Sequence, residues 1–432
     1  MLLLDQRFLI FSRWGTRYDH GNEEVRNGIL GFAAHKLLGK VDRRTLSDAQ
    51  MYAVLSQRLA LDIDTPQYLL TSTSHFTLME TMHEQIANHM RVCLAVGSGV
   101  ESLRGVASSE PILSEAASRI MNDEGLDFEL PVALSKVLSG FCINQGARRE
   151  LLVAAFFTWA RDQVVLPKLV PFSSILTHHF TVCDLFRSLF YGPSLEAILQ
   201  SKPSLYPQGD TPYPFDKVFV NARMHFNHFA RPYERKTISS QYLMRFLARG
   251  AAALGANCQP GFDAVYPFLY EVLDLDVEKL GFIIVQVKND SNTSRKTHSE
   301  IFQKMDPFQC RLLAREESKT PSRFTVPIIR ILFSLSSTKN IVEPVEYGSP
   351  SEGATTLDDR QQPLFTSYDY VCSGVSPTIL RPVAKHLDNW NALVNRRSDW
   401  HDFIESSGEA DILCSELPLG GSGDAHFSSW WE

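Results

Sequence analysis

The chain has no pair of cysteines at C-x-x-C spacing, and its cysteines are few and scattered. There are seven, an odd number: Cys93, Cys142, Cys183, Cys258, Cys310, Cys372 and Cys414. A disulfide framework needs an even set of cysteines, and a zinc ribbon needs closely spaced pairs of ligands. The sequence therefore predicts a reduced intracellular protein that has neither device.

The chain also lacks an apolar run of the roughly 18 residues that a membrane-spanning helix needs. Its first residues are apolar, but Asp5 and Arg7 interrupt them, which is not the pattern of a cleavable leader. We therefore predict a nuclear or cytoplasmic location and no membrane partner.

Positive charge is not in excess over the whole chain, whose formal net charge is −7. This balance argues against a protein that coats nucleic acid along its whole surface. Residues 221–341 differ, because they hold 17 Lys and Arg against 11 Asp and Glu, a local excess of +6. This excess indicates either an ordinary solvated surface or a surface that meets an anionic partner.

Composition and periodicity divide the chain into four segments. Residues 1–202 show helical periodicity, and a proline-rich connector follows them. Residues 203–345 form a module with its core at 239–333, residues 346–400 read as a linker and a C-terminal helix, and residues 401–432 form an acidic tail. The predicted fold class is α/β, or α+β over the whole chain, with a helical N-terminal region and a central mixed sheet in the module.

The module core predicts the element order αββαβ. The predicted helix covers 239–254, with a serine cap and a closing glycine, and a strand at 262–266 ends at Pro267. The remaining elements are a strand at 281–288, a short helix near 298–305 and a strand at 328–333.

Two short motifs in this core point to chemistry. Gly261-Phe262-Asp263 starts the first strand, and Gln286-Val287-Lys288 ends the apolar second strand. Because side chains alternate along a strand, Gln286 and Lys288 point to the same face. A carboxylate, a neutral oxygen and a lysine are suited to a metal-dependent phosphodiester site.

A helix, G-x-D at a strand start and a strand ending in Q-x-K together resemble the PD-(D/E)XK nuclease superfamily. The glutamine form is similar to its Mrr-like branch, so the resemblance implies a restriction-endonuclease-like module. The whole chain also resembles a family expanded in mushroom-forming fungi, from which no activity carries over.

The resemblance implies a role for each motif residue. Asp263 is similar to the metal-binding aspartate, Gln286 takes the place of the second acidic residue, and Lys288 takes that of the catalytic lysine. The implied metal is Mg²⁺, or Mn²⁺ in its place, and the implied reaction is attack of water on a phosphodiester bond of DNA.

The chain departs from this family because its two motifs contain only one clear carboxylate, that of Asp263. Members often draw a further acid from the first helix, and residues 239–254 contain none. Glu234 and Glu271 are the possible extra acids. The alternative is a catalytically inactive nuclease fold that serves as a scaffold for nucleic acid or protein, and an RNA-directed nuclease is a second alternative.

Basic residues near the predicted helix are candidates for phosphate contacts. Arg235 and Lys236, with Arg231 beside them, precede the helix, and Arg245 and Arg249 lie one turn apart on it. A solvated face explains them equally well. The N-terminal helices are the predicted surface for a protein partner or a homodimer.

One further motif, His225-Phe226-Asn227-His228, resembles a metal site or an H-N-H motif only superficially. No Cys or carboxylate framework accompanies the two histidines. We predict ordinary histidines on a helix face or on the surface.

Overall fold

A computed structural model of the 432-residue chain describes most of residues 21–395. The described ranges are 21–39, 44–61, 63–64, 73–96, 103–139, 145–166, 179–232, 238–256, 259–270, 276–288, 295–313 and 323–395. The predicted acidic tail, 401–432, lies outside them.

Helices dominate the N-terminal half, as predicted. Within the described ranges they are α1 Glu23–Leu38, α2 Asp48–Leu59, α3 Thr73–Asn88, α4 Pro111–Met121, α5 Leu130–Ser139, α6 Gln145–Val165, α7 Val182–Leu189, α8 Gly192–Gln200, α9 Phe215–Phe219, α10 Ser240–Ala248, α11 Arg295–Lys304 and α12 Leu387–Asn395.

Strands are concentrated in the second half. They are β1 Ile63–Asp64, β2 Val92–Val96, β3 Leu103–Val106, β4 Phe180–Thr181, β5 Arg223–Met224, β6 His228–Ala230, β7 Ala251–Leu254, β8 Ala264–Leu269, β9 Leu280–Lys288, β10 Ile328–Ser334, β11 Ile341–Pro344 and β12 Ser367–Ser373. The first three form a small sheet of their own, and the others form one mixed sheet. The fold is therefore mixed α/β, as the sequence predicts.

The centre of the large sheet has the order β12-β10-β9-β8-β7-β6. Strand β8 is antiparallel to β9, whereas β9, β10 and β12 are parallel to one another. Helix α11 connects β9 to β10, the crossover that parallel neighbours require. As a result β9, β10 and β12 all end at one border of the sheet, which we call the carboxyl edge.

Strand β9 is apolar because both of its faces are covered. Ile283 and Val285 belong to one hydrophobic cluster, and Phe282 and Ile284 belong to a second cluster on the other face. Gln286 and Lys288 continue the second face, in register with Leu332 and Ser334 of β10. Gln286 is still buried and Lys288 is half-buried, so the polar pair stands at the carboxyl edge, where the burial of the strand begins to decrease.

The N-terminal helices pack against the first face of the sheet. The Phe157 ring of α6 stacks on Tyr266 of β8 with 4.3 Å between centroids, and it lies 6.2 Å from Phe333 of β10. One hydrophobic cluster contains residues of these helices and of the sheet. The boundary between predicted segments at residue 202 stays a prediction.

Two predicted elements of the module core differ from the observed ones. The helix predicted at 239–254 ends at Ala248, because Gly250 takes a left-handed backbone (φ 64°) and Ala251–Leu254 forms strand β7. Pro267 does not end β8. On one side of β8 the pairing with β7 ends at Val265 and the pairing with β5 begins at Phe268, so Pro267 lies in the gap between these two partners.

The segment 346–400 was predicted as a linker and a helix, which was wrong in part. It contains β12, an interior strand between β10 and β11. Tyr368 and Tyr370 of β12 pack in the first hydrophobic cluster. Burial of these side chains stabilises a strand in a segment whose preceding residues have the composition of a linker. Helix α12, at Leu387–Asn395, is the helix that was predicted in this segment.

A buried ion pair joins β10 to β12 on the second face. The Arg330 Nε and Nη2 atoms donate to the two carboxylate oxygens of Asp369, at 2.7 and 2.5 Å. Arg330 Nη1 donates to the carbonyls of Phe302 and Gly353, and Tyr347 Oη donates to Asp369. The pair therefore ties both strands to α11 and to the segment after β11.

Along the described part of the chain, no helix combines the length and apolar character needed to cross a membrane. The four cysteines that lie there (Cys93, Cys183, Cys310 and Cys372) have free thiols.

Candidate functional site

Asp263 is fixed by its own backbone at the carboxyl edge. Its N–H donates to the Val285 carbonyl of β9 at 2.8 Å, and its carbonyl accepts from the Gly255 N–H at 2.7 Å. These hydrogen bonds hold Asp263 between the end of β7 and the last residues of β9. The aspartate of the G-x-D motif thus meets the Q-x-K motif directly.

The Asp263 carboxylate is bonded on one oxygen. Its Oδ2 accepts from Gln286 Nε2 at 2.7 Å and from the Val287 N–H at 2.5 Å. From the described residues, Oδ1 accepts no hydrogen bond. Because the Gln286 nitrogen faces Asp263, its amide oxygen Oε1 faces the other way. Neither Asp263 Oδ1 nor Gln286 Oε1 takes part in this hydrogen bond, so each remains as a donor atom for a further ligand.

The glycine of the motif is required by the backbone. Gly261 has φ 87°, and a Cβ there would overlap the Lys304 carbonyl and the Cys310 thiol. We expect Gly261→Ala to cost about 2 kcal/mol or more of unfolding free energy in urea melts, from backbone strain and overlap. Gly209→Ala is the control, because Gly209 also has a positive φ (98°) but has no atom within 4 Å of the added Cβ. An equal loss in both variants would contradict close packing around Gly261.

A second carboxylate reaches this place from helix α6. Glu150 lies in the first half of α6, which packs against β9. It is close enough to Asp263 for its charge to raise the pKa of that carboxyl group. The local patterns pointed for this acid to the helix predicted at 239–254 and not to α6. A signal existed, since Glu150 is the only acidic residue between Gln145 and Trp159 of an apolar helix.

Burial and the neighbouring carboxylate raise the pKa of Asp263 to about 7, and the Val287 N–H, Lys288 and Gln286 oppose the shift. The pKa of Glu150 is also raised by burial, against the effect of Arg231 and then of Lys288. The two acids thus compete for ionisation, and a bound cation would relieve the competition.

This electrostatic strain predicts a pH-dependent effect of Asp263→Asn. A carboxyl group whose pKa is higher in the folded state stabilises the fold fully below its unfolded value of 3.8 and loses that contribution as the pH rises through about 7. Relative to the wild type, the variant should gain about 4 kcal/mol of unfolding free energy between pH 4 and pH 8 in EDTA. Urea melts across this range test it, and a difference that does not grow with pH would contradict the raised pKa.

The other predicted site residues are placed differently. Glu234, Glu271, Arg235 and Lys236 lie outside the described residues. Arg249 is at the far end of β7 from Asp263, where its Nη2 donates to the Ser109 carbonyl at 2.6 Å.

Arg245 is exposed on α10, one turn before Arg249. The basic residue that the fold brings to the site is instead Arg231, directly after β6, whose charge acts on Glu150.

The predicted surface histidines are buried, so that prediction was wrong. His225 is 5 % exposed, and His228 belongs to strand β6 and is fully buried. His228 Nε2 lies 2.9 Å from Ser109 Oγ and its Nδ1 lies 2.7 Å from Asn227 Oδ1.

That geometry resembles a nucleophile–base–orienter chain, but its electrostatics oppose catalysis. Burial, then Arg249 and Arg58, lower the pKa of His228 to about 3, which makes it a weak base at neutral pH. The helix N–H groups of Ile112 and Leu113 next to Ser109 already bond the Glu110 carboxylate. We therefore interpret this cluster as packing.

The oxygen donors around Asp263 suit a hard cation such as Mg²⁺. They are the free Asp263 oxygen, the Glu150 carboxylate and the Gln286 amide oxygen. Over the described ranges, no group of three or more His, Cys, Asp or Glu side chains is arranged for a metal. The donor set would thus be two carboxylates and one amide.

Comparison of the chain with protein-family models, with curated proteins and with solved structures found no match in any of the three.

Proposed function

We propose that the protein is a metal-dependent nuclease that hydrolyses phosphodiester bonds of DNA, built on a restriction-endonuclease-like module of the PD-(D/E)XK superfamily. The observation that carries the proposal is the meeting of Asp263, Gln286, Lys288 and Glu150 at the carboxyl edge. The first three come from the two sequence motifs, and the fourth supplies the second acid that the motifs lack.

The order of elements supports the same reading. Helix α10, strands β8 and β9, helix α11 and strand β10 follow the αββαβ order of the resemblance, with β7 inserted after the helix. The motif residues also stand where open α/β sheets place ligands, outside the carboxyl ends of parallel strands.

Each residue has a chemical role in this proposal. Asp263 and Glu150, with the Gln286 amide oxygen, would hold Mg²⁺ or Mn²⁺, which would supply Lewis acidity and charge neutralisation at the phosphate. The hydrogen bond from Gln286 and that from the Val287 N–H orient the Asp263 carboxylate, so its second oxygen is presented in one direction. Lys288, on the face of Gln286, would orient the attacking water or stabilise charge on the phosphate.

Metal binding is the first test of this proposal. In Mn²⁺ titrations followed by calorimetry, the wild type should bind, and Asp263→Ala should lose binding, because it removes one of two carboxylates. Glu150→Gln should weaken binding at least about tenfold, since one charged ligand becomes neutral.

Glu278→Gln is the control for that experiment. It removes an exposed carboxylate near the opposite end of β9 and should bind Mn²⁺ like the wild type. Binding that survives Asp263→Ala would contradict the assigned site.

A second candidate function is a non-catalytic scaffold for nucleic acid or protein. The amide of Gln286, where the resembled family has a carboxylate, favours it because fewer charges hold the metal. Under this reading, DNA binding persists without any Mg²⁺-dependent cleavage, and Lys288 substitutions have no functional effect. Cleavage of DNA but not of RNA of the same sequence would separate the DNA-directed nuclease from its RNA-directed alternative.

The proposal includes the setting in which the enzyme would act. We place it in the nucleus or the cytoplasm, with DNA as its partner and with the N-terminal helices as the surface for a protein partner or a homodimer. A dimer would bring two sites to the two strands of one duplex. Sedimentation with and without DNA tests this part independently of cleavage.

A further inference from the structure

Cationic residues stand at intervals along the carboxyl edge, on both sides of the Asp263 site. Ala230 of β6 pairs with Ala253 of β7, so Arg231 is level with Leu254, which pairs with Ala264 next to Asp263. Arg231 therefore lies at the same edge as Asp263, two strands away. Lys288, at the end of β9, is one strand away on the other side.

Lys339 extends this series beyond β10. It is exposed in the loop 335–340, between β10 and β11. The end of β12 lies against that loop, because the Gly374 N–H donates to the Ser334 carbonyl at 2.9 Å and a Cβ on Gly374 would meet the Lys339 carbonyl. Lys339 thus stands over the end of β12, two strands from Lys288.

The spacing of these residues fits a chain of phosphates. From β6 to β12 there are five steps between neighbouring strands, and at roughly 4.8 Å each they span about 24 Å. With the rise of about 3.4 Å per nucleotide of a base-stacked strand, this distance corresponds to at most about seven nucleotides, and an extended single strand spans it with fewer. A single phosphate or a mononucleotide would occupy a small part of it.

The charge of the edge depends on a cation. Arg231 and Lys288 both act on Glu150, so two cationic side chains lie beside the Glu150 and Asp263 carboxyl groups. A divalent ion held by the two carboxylates would leave Arg231, Lys288 and Lys339 in excess. Binding of a polyanion and of the divalent ion should therefore strengthen each other.

We propose that the carboxyl edge binds one strand of a polynucleotide, with Arg231 and Lys339 contacting phosphates on opposite sides of the phosphate that Asp263 and Lys288 address. This inference rests on the proposed function, because it assumes that the site acts on a phosphodiester chain. It assigns contacts to residues outside the sequence motifs. It also makes Lys339 a binding residue at the far end of the path.

Binding of labelled oligothymidylate by the full-length protein in Ca²⁺ is the test, followed by fluorescence anisotropy. Ca²⁺ takes the same kind of oxygen ligands as Mg²⁺. The wild-type affinity should rise steeply with length up to about 8 nucleotides and level off by 12, because the edge spans at most about seven nucleotides. It should also fall several-fold in EDTA.

The salt dependence of binding distinguishes a residue that contacts phosphate from one that does not. Loss of one contact to a single strand lowers the slope of log K against log [salt] by about 0.7. Lys339→Gln should show this loss and a several-fold weaker affinity at low salt, and Arg231→Gln should show a similar loss. Lys279→Gln is the matched control, because Lys279 lies just before the opposite end of β9.

A wild-type slope in Lys339→Gln, or an equal loss in Lys279→Gln, would overturn the inference. If Mg²⁺-dependent cleavage is present while Lys339→Gln binds like the wild type, the inference fails and the nuclease stands. If binding depends on Lys339 but no cleavage occurs, the binding edge stands and the nuclease fails. Wild-type protein that binds no oligonucleotide overturns both.

Discussion

Lys288→Ala is expected to reduce Mg²⁺-dependent cleavage of DNA by at least about a hundredfold, the usual contribution of a positioned proton-transfer or charge-stabilising group. Lys288 is the last residue of β9, on the same face as Gln286, and its charge acts on both Asp263 and Glu150. Its removal takes the only cation that the two motifs supply to the site. Single-turnover cleavage of a labelled duplex measures the effect.

The loss should fall on the reaction more than on binding. The remaining cations of the edge hold the phosphates, so DNA affinity in Ca²⁺ should weaken by less than about tenfold. Lys279→Ala is the control, because it removes a lysine near the opposite end of the same strand. Cleavage retained in Lys288→Ala would assign the chemistry elsewhere, whereas a loss shared with Lys279→Ala would indicate a general effect of charge.

Asp369→Ala is expected to have the largest effect on stability, about 3–5 kcal/mol of unfolding free energy. Asp369 and Arg330, which form a salt bridge, are both fully buried (0 % exposed). Without Asp369 the guanidinium stays between β10 and β12, with an uncompensated charge and with the Tyr347 hydroxyl deprived of its acceptor. Urea unfolding followed by circular dichroism measures the loss.

A surface pair provides the matched control for that loss. Arg323 and Asp210 also form a salt bridge, but their side chains are 44 % and 33 % exposed. Asp210→Ala should cost less than about 1 kcal/mol, since water solvates the remaining charge. A double change of Arg330→Met with Asp369→Leu should recover much of the stability, because no charge is left buried. Similar losses of unfolding free energy in Asp369→Ala and Asp210→Ala would contradict the inference that the buried pair is a main stabilising contact of the sheet.

Local patterns predicted much of this fold. The strands at β9 and β10 and the helix between them came from apolar runs and polar breaks, and the structure confirms them within a few residues. The prediction was wrong where a strand did not look like one. Ala251–Leu254 has the composition of a helix end, and it is a strand because a partner lies on each side of it.

The candidate site was predictable only for residues close together in the chain. Period-two alternation places Gln286 and Lys288 on one face, and G-x-D places an acid at a strand start. Glu150 is more than a hundred residues from Asp263 in the chain. No local pattern indicates that α6 crosses this end of the sheet, so no spacing rule identifies Glu150 as a neighbour of Asp263.

The sequence by itself determined the class of the fold, the two motifs at the ends of their strands and the faces on which their side chains lie. These follow from periodicity and backbone geometry, which act over a few residues. Only the tertiary structure decided that the Glu150 carboxylate lies near Asp263, that Arg231 rather than Arg249 acts on it, and that burial raises the pKa of Asp263 to about 7. Burial and charge proximity set these properties, and both arise only when distant segments pack together.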